Sequence, residues 1–153
     1  MLLSLIINGI LIGIIYGLIA MGYTMVYGII KLINFAHGEI FMYGAFFTWW
    51  SMTALSIPFP FASLIGVILA CFLGVGVERI AYRPLRNAPR FAILISVLGM
   101  SIFLQNMARI IWGAESQTFD IDFGYPPILI GGVVIPVKKV FILVISLILM
   151  MGL

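Results

Sequence analysis

Lys31, Asn34, His37 and Glu39 fall within nine residues, between two stretches, 1–30 and 40–77, that carry no charged side chain. His37 is the only histidine of the chain, and an imidazole can exchange a proton near neutral pH. Three chemistries are open to such a set. It can line a path for a polar solute, it can cap and stabilise a break between helices, or His37 can act with a serine such as Ser51 or Ser96 in an intramembrane enzyme. No G-x-S-x-G or H-E-x-x-H pattern supports the enzyme, so no catalytic residue is assigned. With one cysteine and one histidine, a Cys/His zinc site within the chain is excluded, and no metal ligand is assigned. No phosphate-binding loop of the G-x-x-x-x-G-K-[ST] type occurs, so the chain binds no ATP by that route.

The surroundings make these residues unusual. Hydrophobic residues make up 64% of the 153-residue chain and charged ones only 8%, against about 25% charged in soluble domains. A charged side chain at the bilayer centre costs roughly 2.5–3.5 kcal/mol on insertion scales. Lys31, His37 and Glu39 must therefore lie at a membrane surface or line something polar. On a continuous helix Asn34 would share a face with His37 and Gly38, at spacings of three and four, while His37 and Glu39 point apart. Gly38 after the histidine suits a break or re-entrant bend over 31–39. Asn34, His37, Gly38 and Glu39 are thus candidates for a translocation path or gate. The plainer reading is a structural cap, with Glu39 near a helix N-terminus and Asn34 satisfying freed backbone groups.

The elements that must position this segment read as an all-α, polytopic transmembrane bundle of about five hydrophobic segments. A spanning helix needs about 20 mostly apolar residues, and the runs are continuously apolar, not alternating as in a barrel strand. Spans are expected near 3–29, 40–57, 60–77 and 91–111, with a fifth run, 137–153, that is incomplete. In the first, Gly9, Gly13 and Gly17 recur every fourth residue and form a face for close helix packing. Trp49 and Trp50 suit an interface, and Ser56-Ile57-Pro58-Phe59-Pro60 reads as a turn. Ala92, Ser96 and Gly99 give the fourth span a small-residue face, and Gln105, Asn106 and Arg109 enrich its far end. Cys71 is a small hydrophobe in an apolar run.

Four arginines, Arg79, Arg83, Arg86 and Arg90, sit in the loop 78–90 with Pro84 and Pro89. The positive-inside rule makes this loop cytoplasmic and puts the acid-containing loop 112–136, with short strands around 128–135, on the outer side, which is the periplasm if the chain sits in a bacterial inner membrane. Lys31 and its neighbours then fall on or near the cytoplasmic side; Lys138 and Lys139 go mildly against the rule. The arginines read as topology determinants that can also meet anionic lipid. The basic balance marks topology, and no nucleic-acid partner is expected. The fifth run leaves about 21 Å of helix after Lys139, less than the ~30 Å hydrocarbon core. The chain therefore reads as part of a longer permease, a naturally short form being the alternative. The N-terminus has no basic region or cleavage pattern and is expected to be retained.

Residues 8–46, NGILIGIIYGLIAMGYTMVYGIIKLINFAHGEIFMYGAF, and 78–106, ERIAYRPLRNAPRFAILISVLGMSIFLQN, resemble the branched-chain amino-acid ABC importer permeases of the LivH type, in their N-terminal half. The resemblance implies a multi-pass subunit of the bacterial inner (plasma) membrane that takes part in importing leucine, isoleucine and valine. It implies a second, related permease subunit, two cytoplasmic ATPase subunits and a periplasmic amino-acid-binding protein as partners, besides membrane lipid. The chain would bind no cofactor, ATP sitting on the separate ATPases, and would perform no covalent chemistry. Such permeases are about twice as long, and no counterpart of their ATPase-docking segment is visible here. The nearest alternative is a permease of the same superfamily for another amino acid, an amide or urea.

Overall fold

The computed structural model describes residues 2–31, 33–119, 126, 128–130 and 133–152. Among the described residues the regular elements are helices and one small hairpin. The helices are α1 (Leu2–Ile30), α2 (His37–Ala54), α3 (Phe59–Val77), α4 (Arg90–Trp112) and α5 (Val137–Gly152); strands β1 (Ile128–Ile130) and β2 (Val133–Ile135) lie between α4 and α5. Among the described residues, three helical stretches are long and apolar enough to cross a membrane: Ser4–Ile29, Phe59–Leu85 and Arg90–Trp112. α2 has 18 residues and carries His37 and Glu39 besides its hydroxyl-bearing side chains. The apolar stretch within α5, Lys139–Gly152, is shorter. The chain is a polytopic helical membrane protein, as its composition requires.

The chain divides into two compact units. The first, Met1–Lys31 with Asp120–Leu153, packs α1 against α5. Lys139 Nζ donates to Asn8 Oδ1 at 2.5 Å, which gives that ammonium a neutral partner on a helix with no charged side chain. β1 and β2 pair antiparallel, with Ile128 opposite Ile135 and Ile130 opposite Val133; they fall within the stretch where short strands are expected. Asp120, Asp122 and the central part of the acidic loop lie outside the described residues.

The second unit, Leu32–Phe119, contains the polar segment. Its core is a strip of α4, with Ile93, Val97, Leu104 and Ala108 spaced to share one helical face, closed by Ala36, Tyr43, Val77 and Ala81. The buried face therefore runs through Ile93 and Val97, whereas Gly99, expected on a packing face, has nothing within 4 Å of a Cβ built on it among the described residues.

α2 and α3 pack by backbone approach. A Cβ on Gly66 would lie 2.8 Å from the Gly44 carbonyl oxygen and would overlap Thr48 Oγ1, and one on Gly44 would meet Ala70 Cβ at 3.4 Å. Among the described residues the glycine face at Gly9, Gly13 and Gly17 makes no such contact: nothing lies within 4 Å of a Cβ built at any of the three. Close packing within this chain is thus located on α2 and α3, where the glycines follow no single periodic stripe.

Two expected boundaries are corrected. The break is confined to 31–36, because His37, Gly38 and Glu39 already belong to α2. Lys31 takes a left-handed φ of 54° after its N–H closes the last turn of α1 on the Tyr27 carbonyl at 2.7 Å. Asn34 Oδ1 then accepts the Ala36 N–H at 3.1 Å, and the Asn34 carbonyl accepts the His37 N–H at 3.1 Å. This Asx-type turn supplies partners that the orphan donors at a helix start need, and it is what begins α2 so soon after the break. Gly38 makes no bend.

The second correction concerns the stretch 78–90. It is helical through Leu85: residues Glu78–Tyr82 form a π-turn and Arg83–Leu85 a 3₁₀ turn, leaving only 86–89 as connector. Pro84 has no N–H and cannot close an α-helical bond to Ile80; the widened turn, in which the Arg83 N–H reaches the Glu78 carbonyl, carries the helix up to it. Arg79, Arg83, Arg86 and Arg90 are all exposed on this end of the α3–α4 hairpin.

Candidate functional site

The most distinctive stretches of the sequence meet at the π-turn. Ser96 Oγ donates to the Ala81 carbonyl at 3.2 Å, tying α4 to the widened turn. Tyr82 Oη donates to the Ile33 carbonyl at 3.4 Å, tying the same turn to the break. Ala36, fully buried, packs with Ala81 and Val77. From Ile33, level with Tyr82, the chain climbs along the hairpin to Glu39, level with Ser101 and Gln105.

Glu39 is held by two neutral donors on one turn of α4. Ser101 Oγ lies 2.9 Å and Gln105 Nε2 2.7 Å from the same oxygen, Oε1. The two donors are four residues apart, so they project from one helical face. Ser101 is eleven residues into α4, about 16 Å from its start at 1.5 Å per residue. Glu39 therefore sits opposite the middle of α4, away from its arginine-bearing end. A carboxylate set against an apolar helix at this point needs its two dedicated donors.

One turn further along α2, Tyr43 is buried and donates its hydroxyl to the Leu104 carbonyl at 3.0 Å. Beyond it, Trp112 stacks on Phe46 (centroids 4.9 Å apart, planes 11° apart) and meets Tyr43 and Phe47 edge-on. Glu39, Tyr43 and Phe46, at spacings of four and three, thus meet successively later residues of α4, so α2 and α4 run parallel. Tyr43→Phe keeps the ring contacts and removes one hydrogen bond. It is expected to lower stability by about 1 kcal/mol, checked by thermal melting of the purified protein in detergent.

The opposite face of α2 is different. His37, Phe41, Gly44 and Thr48, spaced by four, three and four, line a groove of about 530 Å³ together with Val67 and Cys71 of α3 and Phe119. His37 and Glu39 do point apart, as their spacing requires, and the structure gives them separate surroundings. Asn34 belongs to the cap. Of the four path candidates, His37 alone lines the groove.

The hydroxyls of Thr48 and Ser63 in this groove donate to the carbonyls of Gly44 and Pro60. Ser51 donates to the Phe47 carbonyl and Ser96 to the Ala81 carbonyl. Each hydroxyl has one proton to give, and Ser51 lies fourteen residues, about 21 Å, along α2 from His37. Neither serine is set up as a nucleophile activated by His37.

Ser101 and Tyr43 were not singled out from sequence. A polar pair at i and i+4 in an apolar helix, Ser101 with Gln105, was the available signal, since such a pair needs an acceptor on a neighbouring helix. Gly44 and Gly66 offered no signal of that kind.

Three helical stretches long and apolar enough to cross a membrane, with a polar break and an apolar groove beside them, define a polytopic membrane protein. Residues 5–153 match the family described as the branched-chain amino acid transport system permease component, and the chain belongs to that family. It is 39% identical to the high-affinity branched-chain amino acid transport system permease protein BraD of Pseudomonas aeruginosa, over 99% of this chain and 53% of that protein. It is 47% identical to LivH of Salmonella typhimurium and 45% identical to LivH of Escherichia coli, in each case over 71% of this chain and 38% of the relative. Both LivH proteins carry the same high-affinity permease description. The chain thus spans about half the length of the first of these relatives and less of the others. No solved structure matches.

Proposed function

We propose that this chain is a membrane-spanning part of the permease of an ATP-driven importer for leucine, isoleucine and valine, in the inner membrane of a bacterium, and that it forms part of the translocation path and performs no covalent chemistry. The family match over residues 5–153 carries this reading. The geometry is compatible with it, because α2 presents a largely apolar groove on one face and is anchored to α4 by the other. The arginine-rich end of the α3–α4 hairpin faces the cytoplasm by the positive-inside rule. Power comes from two ATPase subunits, with ATP bound there and no cofactor in this chain. The solute is delivered by a periplasmic binding protein, and a second related permease subunit completes the path.

The test is uptake of labelled leucine in cells whose own branched-chain permeases are deleted and which express this protein with its genomic neighbours. Uptake competed by isoleucine and valine, and left unchanged by urea or acetamide, is expected. Competition by urea or acetamide instead would assign the permease to the other substrate class.

A further inference from the structure

We propose that the groove between α2 and α3 receives the aliphatic side chain of the transported amino acid, with the His37 imidazole marking the end where the charged groups of the solute lie; the assignment rests on the function proposed above. The groove, about 530 Å³, has room for one branched side chain together with its amino-acid head. Its walls are mostly apolar, with aliphatic or small residues such as Ala45, Val67 and Ala70 beside the aromatic rings of Phe41, Phe59 and Phe119. The two hydroxyls in it, on Thr48 and Ser63, are already donating to backbone carbonyls.

This lining distinguishes between the solutes open to the family fold. Urea or a short amide carries polar atoms on nearly every side and would leave them unmatched along such a wall, which costs a buried polar group its hydrogen bonds. A branched aliphatic chain loses nothing there. Each methylene fitted into an apolar pocket changes selection by about tenfold or more. His37 supplies a ring nitrogen that can donate to a carboxylate. Phe119, beyond the end of α4, closes part of the groove, and Glu39 is turned away on the other face of α2, committed to Ser101 and Gln105. Solute contact is therefore assigned to the His37 face alone.

Cys71 is the only cysteine of the chain, is exposed, and lies on the groove wall, so it reports occupancy without any substitution. The assembled transporter in membrane vesicles is treated with a charged methanethiosulfonate, and modification of this chain is followed by mass. Saturating leucine is expected to slow modification of Cys71 by about tenfold, the scale of one well-fitted apolar group, and urea to leave it unchanged. Val67→Trp, which fills the groove, is expected to lower leucine uptake by about tenfold or more at unchanged assembly. Phe72→Trp, on a residue 69% exposed and outside the groove, should leave uptake as it was.

Equal modification with and without leucine, in vesicles that accumulate leucine, overturns the groove assignment and leaves the function standing. So does reaction with an apolar maleimide but not with the charged reagent, which would mark a groove filled by a lipid chain. Unchanged uptake by Val67→Trp has the same force. Vesicles that hold the assembled complex and accumulate no leucine overturn the function and the groove assignment with it.

Discussion

Gly66→Ala is expected to destabilise the protein by about 3 kcal/mol, the upper part of the range for overpacking a close contact. The new methyl would overlap Thr48 Oγ1 and come within 2.8 Å of the Gly44 carbonyl oxygen. The first obstacle is a short side chain whose hydroxyl already donates to that carbonyl at 2.8 Å; the second is backbone. Thr48→Ala in the same protein removes one obstacle and leaves the other, so it should rescue only part of the loss.

Two neighbouring glycines calibrate the effect. At Gly44 the added atom would meet Ala70 Cβ at 3.4 Å, and at Gly74 it would meet only the end of Ile40 at 3.8 Å. The expected order of damage is Gly66, then Gly44, then Gly74, with Gly74→Ala near neutral. Melting temperature in detergent and yield of folded protein read the series directly. An equal loss at all three would show that α2 and α3 are not held by this close approach.

The second large effect is at Glu39. Replacement by leucine leaves the Ser101 hydroxyl and the Gln105 amide without their acceptor in a helix interface, and each lost partner costs about 1–3 kcal/mol. Interhelical hydrogen bonds in membranes average lower, about 0.6 kcal/mol, because other partners can be found. A total near 2 kcal/mol is therefore expected for Glu39→Leu. Glu39→Gln keeps an oxygen at the same place and should cost much less. The triple replacement Glu39→Leu, Ser101→Ala, Gln105→Leu removes acceptor and donors together. It should recover most of the stability, since replacing both sides by apolar groups is close to neutral.

The triple variant also separates structure from transport. If Glu39 serves only to hold α2 against α4, uptake should return as folded protein returns. Recovery of folding without recovery of uptake would place the carboxylate in the path of the solute.

Much of this architecture was legible in the hydrophobic runs, because each run of the right length has to become a helix in lipid. The two misplaced boundaries share one cause. Polar residues were read as interruptions, yet His37, Gly38 and Glu39 form the first turn of α2, where a carboxylate is favoured by the helix dipole and Asn34 supplies the cap. In the same way Arg79 and Arg83 are helical: nothing about an arginine ends a helix, and Pro84 acts only from its own position onward. Glu39's partners depended on which turn of α4 lies beside α2, which follows from the rise of the chain between Ile33 and Glu39. Gly44 and Gly66 matter because two helices cross there, a fact held by neither helix alone. The regular stripe of Gly9, Gly13 and Gly17 looked more like a packing face, and among the described residues nothing lies within 4 Å of a Cβ built there.

The most direct measurement of the account is leucine accumulation by the complete transporter in proteoliposomes, with the binding protein outside and ATP inside. The proposal predicts accumulation against a gradient that stops when ATP, the binding protein or the chain carrying residues 5–153 is left out. Accumulation that continues without ATP, or that proceeds equally well without this chain, would contradict it.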